Sequence, residues 1–439
     1  MKVMKFGGTS VGKPERMRQI AELITQGQEP VMVVLSALSG TTNALVEISN
    51  RLAVADKQGA TEKIIVLENH YQNFVNDLLQ DASLHARAKE MINEHFEFLR
   101  ITQKISLSDA LNKDILAQGE LMSTKLFSLF LEQAHIEHAL LPALDFMRLD
   151  HNEEPDLGLI QEKLNGVLAN HPTKKIFVTQ GYICRNAKGE VDNLKRGGSD
   201  YTASLIAAAV NASVCEIWTD IDGMHNNDPR VVDKTVAIEQ LSFDEAAELA
   251  YFGAKILHPT CIWPAQQENI PVKLLNTMAP TATGTVIKKE AGTVGVKAVA
   301  AKDDIIAVKI KSTRMLLAYG FLRKIFEVFE KYKTPIDMIT TSEVAVSVTI
   351  DNDTHLDEIV AELSNIASVE IERGQTIVSI VGNEIAKTDS ILKKLFNAID
   401  EIPVTMVSYG GSAHNISLLL PSAYKTKTLQ LINKGLFDL

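Results

Sequence analysis

The segment Val31-Met32-Val33-Val34-Leu35 is apolar at every position and stops at the polar run Ser36-Ala37-Leu38-Ser39-Gly40-Thr41-Thr42-Asn43. A strand with one face in water alternates apolar and polar residues, so a run without alternation must be covered on both faces. Val3 to Phe6, Lys175 to Gln180, Val214 to Thr219 and Pro271 to Leu275 read as further strands, with helical patterns between them. This order predicts an α/β unit, a mostly parallel sheet between helices, with ligands gathering at the carboxyl ends of the strands. From Ala60 to Gln118 there is neither glycine nor proline, and apolar residues recur through Ile64, Leu67, Tyr71, Phe74 and Leu78. That spacing marks a helical insertion spanning about residues 55–135.

After about residue 290 the texture changes. Strand, helix, strand, strand, helix and strand follow one another from Ile305 to Glu372, and Thr376-Ile377-Val378-Ser379-Ile380-Val381 begins the same order again. Pro335-Ile336-Asp337-Met338-Ile339-Thr340 aligns with Pro403-Val404-Thr405-Met406-Val407-Ser408, which shows a duplicated βαββαβ unit of ferredoxin-like order. The chain thus divides into residues 1–290, 300–375 and 376–439.

A length of 439 residues suits two or three such domains. No apolar run is long enough to cross a bilayer, and the first residues lack the apolar core of a secretory signal, so a cytoplasmic, membrane-free protein is expected. Cys184, Cys215 and Cys261 form neither a metal spacing nor a disulfide framework. A net charge of −11 argues against a nucleic-acid partner, and any anionic substrate must be held by a local cluster of Lys and Arg.

Gly7-Gly8-Thr9-Ser10-Val11-Gly12-Lys13-Pro14 comes within one residue of a phosphate-binding P-loop. The missing residue is the Ser or Thr whose hydroxyl holds Mg²⁺; Pro14 has neither that oxygen nor an N–H. Pro14 instead suits the first turn of a helix, leaving the glycines between strand and helix, where backbone can approach a phosphate. The cation is then Lys5, on the strand, rather than Lys13.

Five stretches taken together resemble the aspartokinase family. They are Lys5-Phe6-Gly7-Gly8-Thr9-Ser10, Gln118-Gly119-Glu120-Leu121, Arg196-Gly197-Gly198-Ser199-Asp200, Thr219-Asp220-Ile221-Asp222-Gly223 with Asp228-Pro229-Arg230, and Phe252-Gly253-Ala254-Lys255-Ile256-Leu257-His258-Pro259. Thr340-Thr341-Ser342-Glu343-Val344 is similar to the regulatory signature of the lysine-sensitive, single-function branch. The resemblance implies an amino-acid-kinase, carbamate-kinase-like fold followed by two ACT domains. It also implies transfer of phosphate from Mg-ATP to the side-chain carboxylate of L-aspartate, feedback by an amino-acid effector, with lysine the leading candidate, and a homodimer or homotetramer assembled through the ACT domains. The alternatives weighed are another amino-acid kinase, of glutamate or acetylglutamate type, and a catalytically inactive amino-acid sensor.

By the same resemblance Lys5 and Lys255 neutralise the transferring phosphoryl group, with Asp200 orienting the lysine ammonium or the substrate amine. Ser36, Thr42, Glu120, Arg196, Gly197, Gly198 and Ser199 bind aspartate. Within that set Arg196 grips a carboxylate with two hydrogen bonds and Glu120 answers the substrate ammonium. Read locally, Glu120 is equally an exposed glutamate at a helix start, and Ser199 equally a helix cap. Gly7, Gly8, Thr219, Asp220, His225, Arg230 and Ile256 fall on the nucleotide side with the two lysines; His225 stands where relatives carry a tyrosine. The effector pocket comprises Met315, Ala318, Phe321, Leu322, Pro335, Ile336, Asp337, Ser342 and Glu343, with Ala318 where a serine is common. The attacking carboxylate is ionised at neutral pH, so no general base is required, and Mg²⁺ is expected to be held through phosphates and water, with no protein ligand named.

Overall fold

The computed structural model describes residues 1–194, 197–253, 259–290, 292–312 and 319–439. The chain forms two compact units, Met1–Met224 with Leu257–Lys289, and His225–Ile256 with Glu290–Leu439. In chain order the elements up to the first interruption are β1 (Lys2–Phe6), α1 (Gly8–Val11), α2 (Pro14–Thr25), β2 (Val31–Leu35), α3 (Thr41–Ala53), α4 (Lys57–Leu78), α5 (Ala82–Thr102), α6 (Asp109–Gln133), β3 (Ala139–Leu140), α7 (Ala143–Phe146), α8 (Leu157–Ala169), β4 (Ile176–Gln180), β5 (Ile183–Arg185) and β6 (Val191–Asn193). Then come α9 (Gly198–Ala209), β7 (Cys215–Thr219), β8 (Gln240–Ser242), α10 (Phe243–Tyr251), α11 (Pro259–Gln267), β9 (Val272–Asn276) and β10 (Thr285–Lys288).

The sheet of the first unit has the order β3-β4-β2-β1-β7-β9-β10. Every neighbouring pair in it is parallel except β9 with β10. All five residues of β2 are buried, which explains their uninterrupted apolar run. The helical insertion is α4, α5 and the first part of α6, and Tyr71, Phe74, Ile92, Phe96 and Phe127 join Met4, Phe6, Val33 and Leu35 in one core. Asp56, Asp81 and Ser108 cap the three helices by accepting backbone N–H bonds. Gly119 does not end the third: α6 runs to Gln133, so Gln118-Gly119-Glu120 lies in a helix interior rather than at a junction.

In the second unit, β11 (Gly295–Lys311), α12 (Phe321–Lys331), β12 (Ile339–Thr341), β13 (Ala345–Ile350), α13 (Leu356–Leu363), β14 (Ser368–Asn383), α14 (Ile391–Ala398), β15 (Met406–Tyr409), β16 (Asn415–Pro421) and α15 (Lys425–Phe437) form the duplicated part. Its sheet has the order β12-β13-β11-β14-β16-β15. The long strands β11 and β14 pair antiparallel through both copies, with register breaks around Lys302–Ala307 between them. The first copy is contiguous from Ile305 to Glu372. The second is completed by Gly295–Lys302, residues that precede the first copy in the chain. Two cores follow, one around Ile325, Phe329, Val348 and Ile359, the other around Ile380, Leu395, Leu418 and Ile432.

Candidate active site and effector carboxylate

Lys5 lies near the end of β1, two residues before Gly7, in a strand flanked by β2 and β7. Its ammonium is almost buried and stands 2.7 Å from Asp200 Oδ1 in the first turn of α9. The pair is out of line for a hydrogen bond, so that oxygen has charge but no aligned donor. Gly7 and Gly8 follow, but a short helix, α1, intervenes before Pro14 opens α2 at its first position, with exposed Lys13 as N-cap.

Ser36, at the end of β2, donates to Ser199 Oγ at 2.9 Å. Ser199 does not cap α9: the N-cap is Gly197, left-handed at φ 64°, and Ser199 is inside the first turn, with its hydroxyl turned to Ser36. Gly198 shares the positive φ at 38°. Arg196 lies outside the described residues. Glu120 is buried rather than exposed, because the middle of α6 packs on the loop after β2. Its Oε1 accepts the Ala37 N–H at 3.2 Å, while Oε2 is buried with no hydrogen-bond partner. Burial pushes its carboxyl up to about 8, against the pull of backbone N–H groups. An acid in that state is poised to receive a cation. Thr42 is half-buried in the first turn of α3, beside Thr41, whose hydroxyl is 3.0 Å from the Tyr71 hydroxyl.

Thr219 ends β7 and donates to the Asp220 carboxylate at 3.1 Å. In the second unit, His225 Nδ1 meets Thr235 Oγ1 at 2.7 Å. Arg230 is exposed, and its guanidinium donates two hydrogen bonds, 3.0 and 2.8 Å, to the Asp228 carboxylate. Lys255 and Ile256 lie outside the described residues.

The effector candidates divide sharply. Asp337 is the most heavily engaged: Oδ1 accepts from the Tyr251 hydroxyl at 2.5 Å and the Lys302 ammonium at 2.7 Å, and Oδ2 is buried without a partner. Lys302 also reaches Asp351 at 2.9 Å and lies 4.6 Å from the centre of the Tyr251 ring. Burial pulls the Lys302 ammonium down, but its hydrogen bonds to Asp337 and Asp351 leave it raised. Phe321 is buried, Ile336 half-buried, and Leu322, Pro335, Ser342 and Glu343 are exposed. The residues from Pro335 to Met338 are not strand; β12 starts at Ile339. Met315 and Ala318 lie outside the described residues.

Sequence reasoning missed Tyr251 and Lys302, which no motif marks, and counted Tyr71 only as part of an apolar stripe. It also missed Gln180, whose amide bridges Thr124 Oγ1 and the Ala143 N–H at 2.7 Å each, tying α6 to the end of β4.

A mostly parallel sheet with a buried lysine near the end of one strand, a buried glutamate on the helix packed over the next loop, and a duplicated ferredoxin-like part match the class of amino acid kinases joined to ACT domains. Profiles of the amino acid kinase family and of an ACT domain match residues 1–276 and 378–436. Within that class the chain belongs to the aspartokinase family. It is 33% identical to lysine-sensitive aspartokinase 3 of Escherichia coli over 99% of both chains. It superposes with a TM-score of 0.86 on E. coli aspartokinase III in complex with aspartate and ADP (R-state), at 32% identity over 100% of both chains. The corresponding complex with lysine and aspartate (T-state) gives 0.81 at 32% identity, covering 100% of this chain and 99% of that one.

Proposed function

We propose that this protein catalyses attack of the side-chain carboxylate of L-aspartate on the γ-phosphorus of ATP, giving 4-phospho-L-aspartate and ADP, and that lysine inhibits it at the first ACT module. The observation that carries the reading is Glu120, a buried carboxyl with one oxygen free of any hydrogen bond. A buried carboxylate needs a cation, and the substrate ammonium supplies one. Ser36, Ser199, the start of α9 and Arg196 receive the carboxylates, and Thr42 positions the substrate from α3. Lys5, oriented by Asp200, and Lys255 neutralise charge on the transferring phosphoryl group. The attacking oxygen is already an anion, so no residue removes a proton.

Gly7, Gly8, Thr219, Asp220, His225, Arg230 and Ile256 take the nucleotide. Mg²⁺ arrives on the phosphates, held mainly through them and through water, and offsets their charge. The effector reading rests on Asp337 and is supported by the E. coli relative's complex with lysine and aspartate (T-state). Assembly through the ACT modules belongs to the same proposal, with Ile339 of β12 and Val407 and Tyr409 of β15 as its exposed apolar side chains. A cytoplasmic location is proposed as well; no helix among the described residues is long and apolar enough to cross a membrane.

The test is ADP release with L-aspartate, L-glutamate or no acceptor. Release with aspartate alone is expected, and equal release with glutamate would replace the substrate assignment.

A further inference from the structure

The C-terminal helix α15 ends in a buried polar cluster that reaches far back along the chain. Asn433 Oδ1 accepts from Asn226 Nδ2 at 3.1 Å and from Asn227 Nδ2 at 3.3 Å, and its own Nδ2 donates to the Lys234 carbonyl at 3.0 Å. Asn227 Nδ2 also donates to the Leu429 carbonyl at 3.1 Å, and its Oδ1 accepts the Asp228 N–H at 2.9 Å. Asn226 Oδ1 accepts the Val236 N–H at 2.7 Å. All three asparagines are buried, and every amide oxygen and nitrogen among them has a partner.

The segment these amides hold contains Asp228-Pro229-Arg230. Val232, just beyond it, sits in one core with Leu429 and Ile432 of α15. Apolar contact alone would keep the segment against the helix, but it is non-directional. Amides buried in a matched network fix rotation and register, because a slip leaves several of them unpaired at once.

We infer that Asn433 is a positioning residue for nucleotide binding, setting through Asn226 and Asn227 the loop that presents Arg230. The inference rests on the proposed nucleotide role of Arg230. It gives the second ACT copy a task distinct from effector binding, as the platform of a substrate loop.

The test compares Asn433→Leu, which keeps the side-chain size and loses the amide, with Arg230→Ala, both in the full chain. For Asn433→Leu, the Kd for ADP and the KM for ATP should rise about tenfold, the scale of losing two such bonds. The KM for aspartate and kcat at saturating ATP should stay within about twofold. A general structural role would lower the melting temperature and kcat without this split between the two substrates. A folded Asn433→Leu with unchanged ADP and ATP constants overturns the inference, as does an equal rise in both KM values. Where Arg230→Ala weakens ADP and Asn433→Leu does not, the loop assignment stands and the inference falls; where Arg230→Ala itself is silent, the loop assignment fails first. Should Asn433→Leu not fold, the same ratio of KM values in Asn227→Ala decides by the same outcomes.

Discussion

Lys5 is a charged residue on a strand covered on both faces, and its ammonium stands against the Asp200 carboxylate, whose Oδ1 has no aligned donor. A group held that way is pre-set to stabilise charge that appears during reaction. Lys5→Ala should lower kcat by about 10²-fold or more. Lys13→Ala, which removes an exposed side chain, should be mild; equal damage from both, with ATP affinity lost, would revive a P-loop at this site. Glu120 makes a second prediction, for pH. Its carboxyl is raised to about 8 from 4.5, so between those values the folded chain binds the proton more tightly than the unfolded chain. Glu120 therefore contributes stability at low pH that falls away as pH rises through that window. A substrate ammonium reverses the preference, favouring the ionised form and releasing a proton on binding. The KM for aspartate should fall as pH rises from about 6.5 to 8, by up to about tenfold per unit, and Glu120→Gln should flatten the profile. A wild-type KM independent of pH over this range would remove Glu120 from the ammonium site.

At the scale of elements, what fixes the site is how closely α6 lies on the loop after β2. A Cβ on Gly119 would come within 2.7 Å of the Ala37 Cβ and 3.1 Å of the Thr41 Cγ2. A glycine in a helix interior weakens the helix by about 1 kcal/mol, and here that loss is offset by an approach no other residue permits. Gly166, in the interior of α8, has open space at the same test. The same substitution should therefore have opposite signs: Gly166→Ala raising stability by about 0.5–1 kcal/mol, Gly119→Ala lowering it by about 1–3 kcal/mol and raising the KM for aspartate as Ala37 shifts. Thermal unfolding and aspartate titration of the two variants check this, and a stabilised Gly119→Ala with normal KM would refute the contact. The same contact explains what the sequence left illegible. The strand runs could be read because burial on both faces removes alternation, and the duplication could be read because apolar periods repeat. Gly119 reads as a helix end when the reason for it is a neighbour in space, and Glu120 then reads as exposed. Tyr71 fits the apolar stripe by its ring while its hydroxyl meets Thr41, and period alone does not separate those two facts. Likewise the second copy of the repeat borrows Gly295–Lys302 for its sheet, a pairing set by the register of β11 on β14 and not by sequence order.

At the scale of the molecule, residues 225–256 belong with the repeated modules although they precede them by tens of residues and fall within the kinase-family match. That grouping supplies a physical route for control. Tyr251 closes α10, three residues before Ala254-Lys255, and hydrogen-bonds Asp337 of the first ACT copy. Gly253 follows at φ 126°, and a Cβ there would strike the Ala301 carbonyl at 2.1 Å, next to Lys302. The end of α10 and Gly253 are thus fastened to Asp337 and β11 of the first ACT copy. Lys302 already satisfies Asp337 with an ammonium, so a lysine effector must compete with it or take the free Oδ2. Removing the internal competitor while keeping its bulk, by Lys302→Met, should lower the lysine concentration for half-inhibition several-fold while uninhibited turnover stays near normal. Tyr251→Phe should act in the other direction on coupling: lysine still binds, but inhibition weakens because the tie from Asp337 to α10 is lost. The full coupling should amount to about 1–3 kcal/mol, and Asp337→Ala should abolish it. The deciding measurement is lysine binding by calorimetry beside lysine inhibition of ADP release in all three variants. Unchanged inhibition in Lys302→Met would show that its ammonium and the effector do not share Asp337, and loss of lysine binding in Tyr251→Phe would make Tyr251 part of the pocket rather than the link from it.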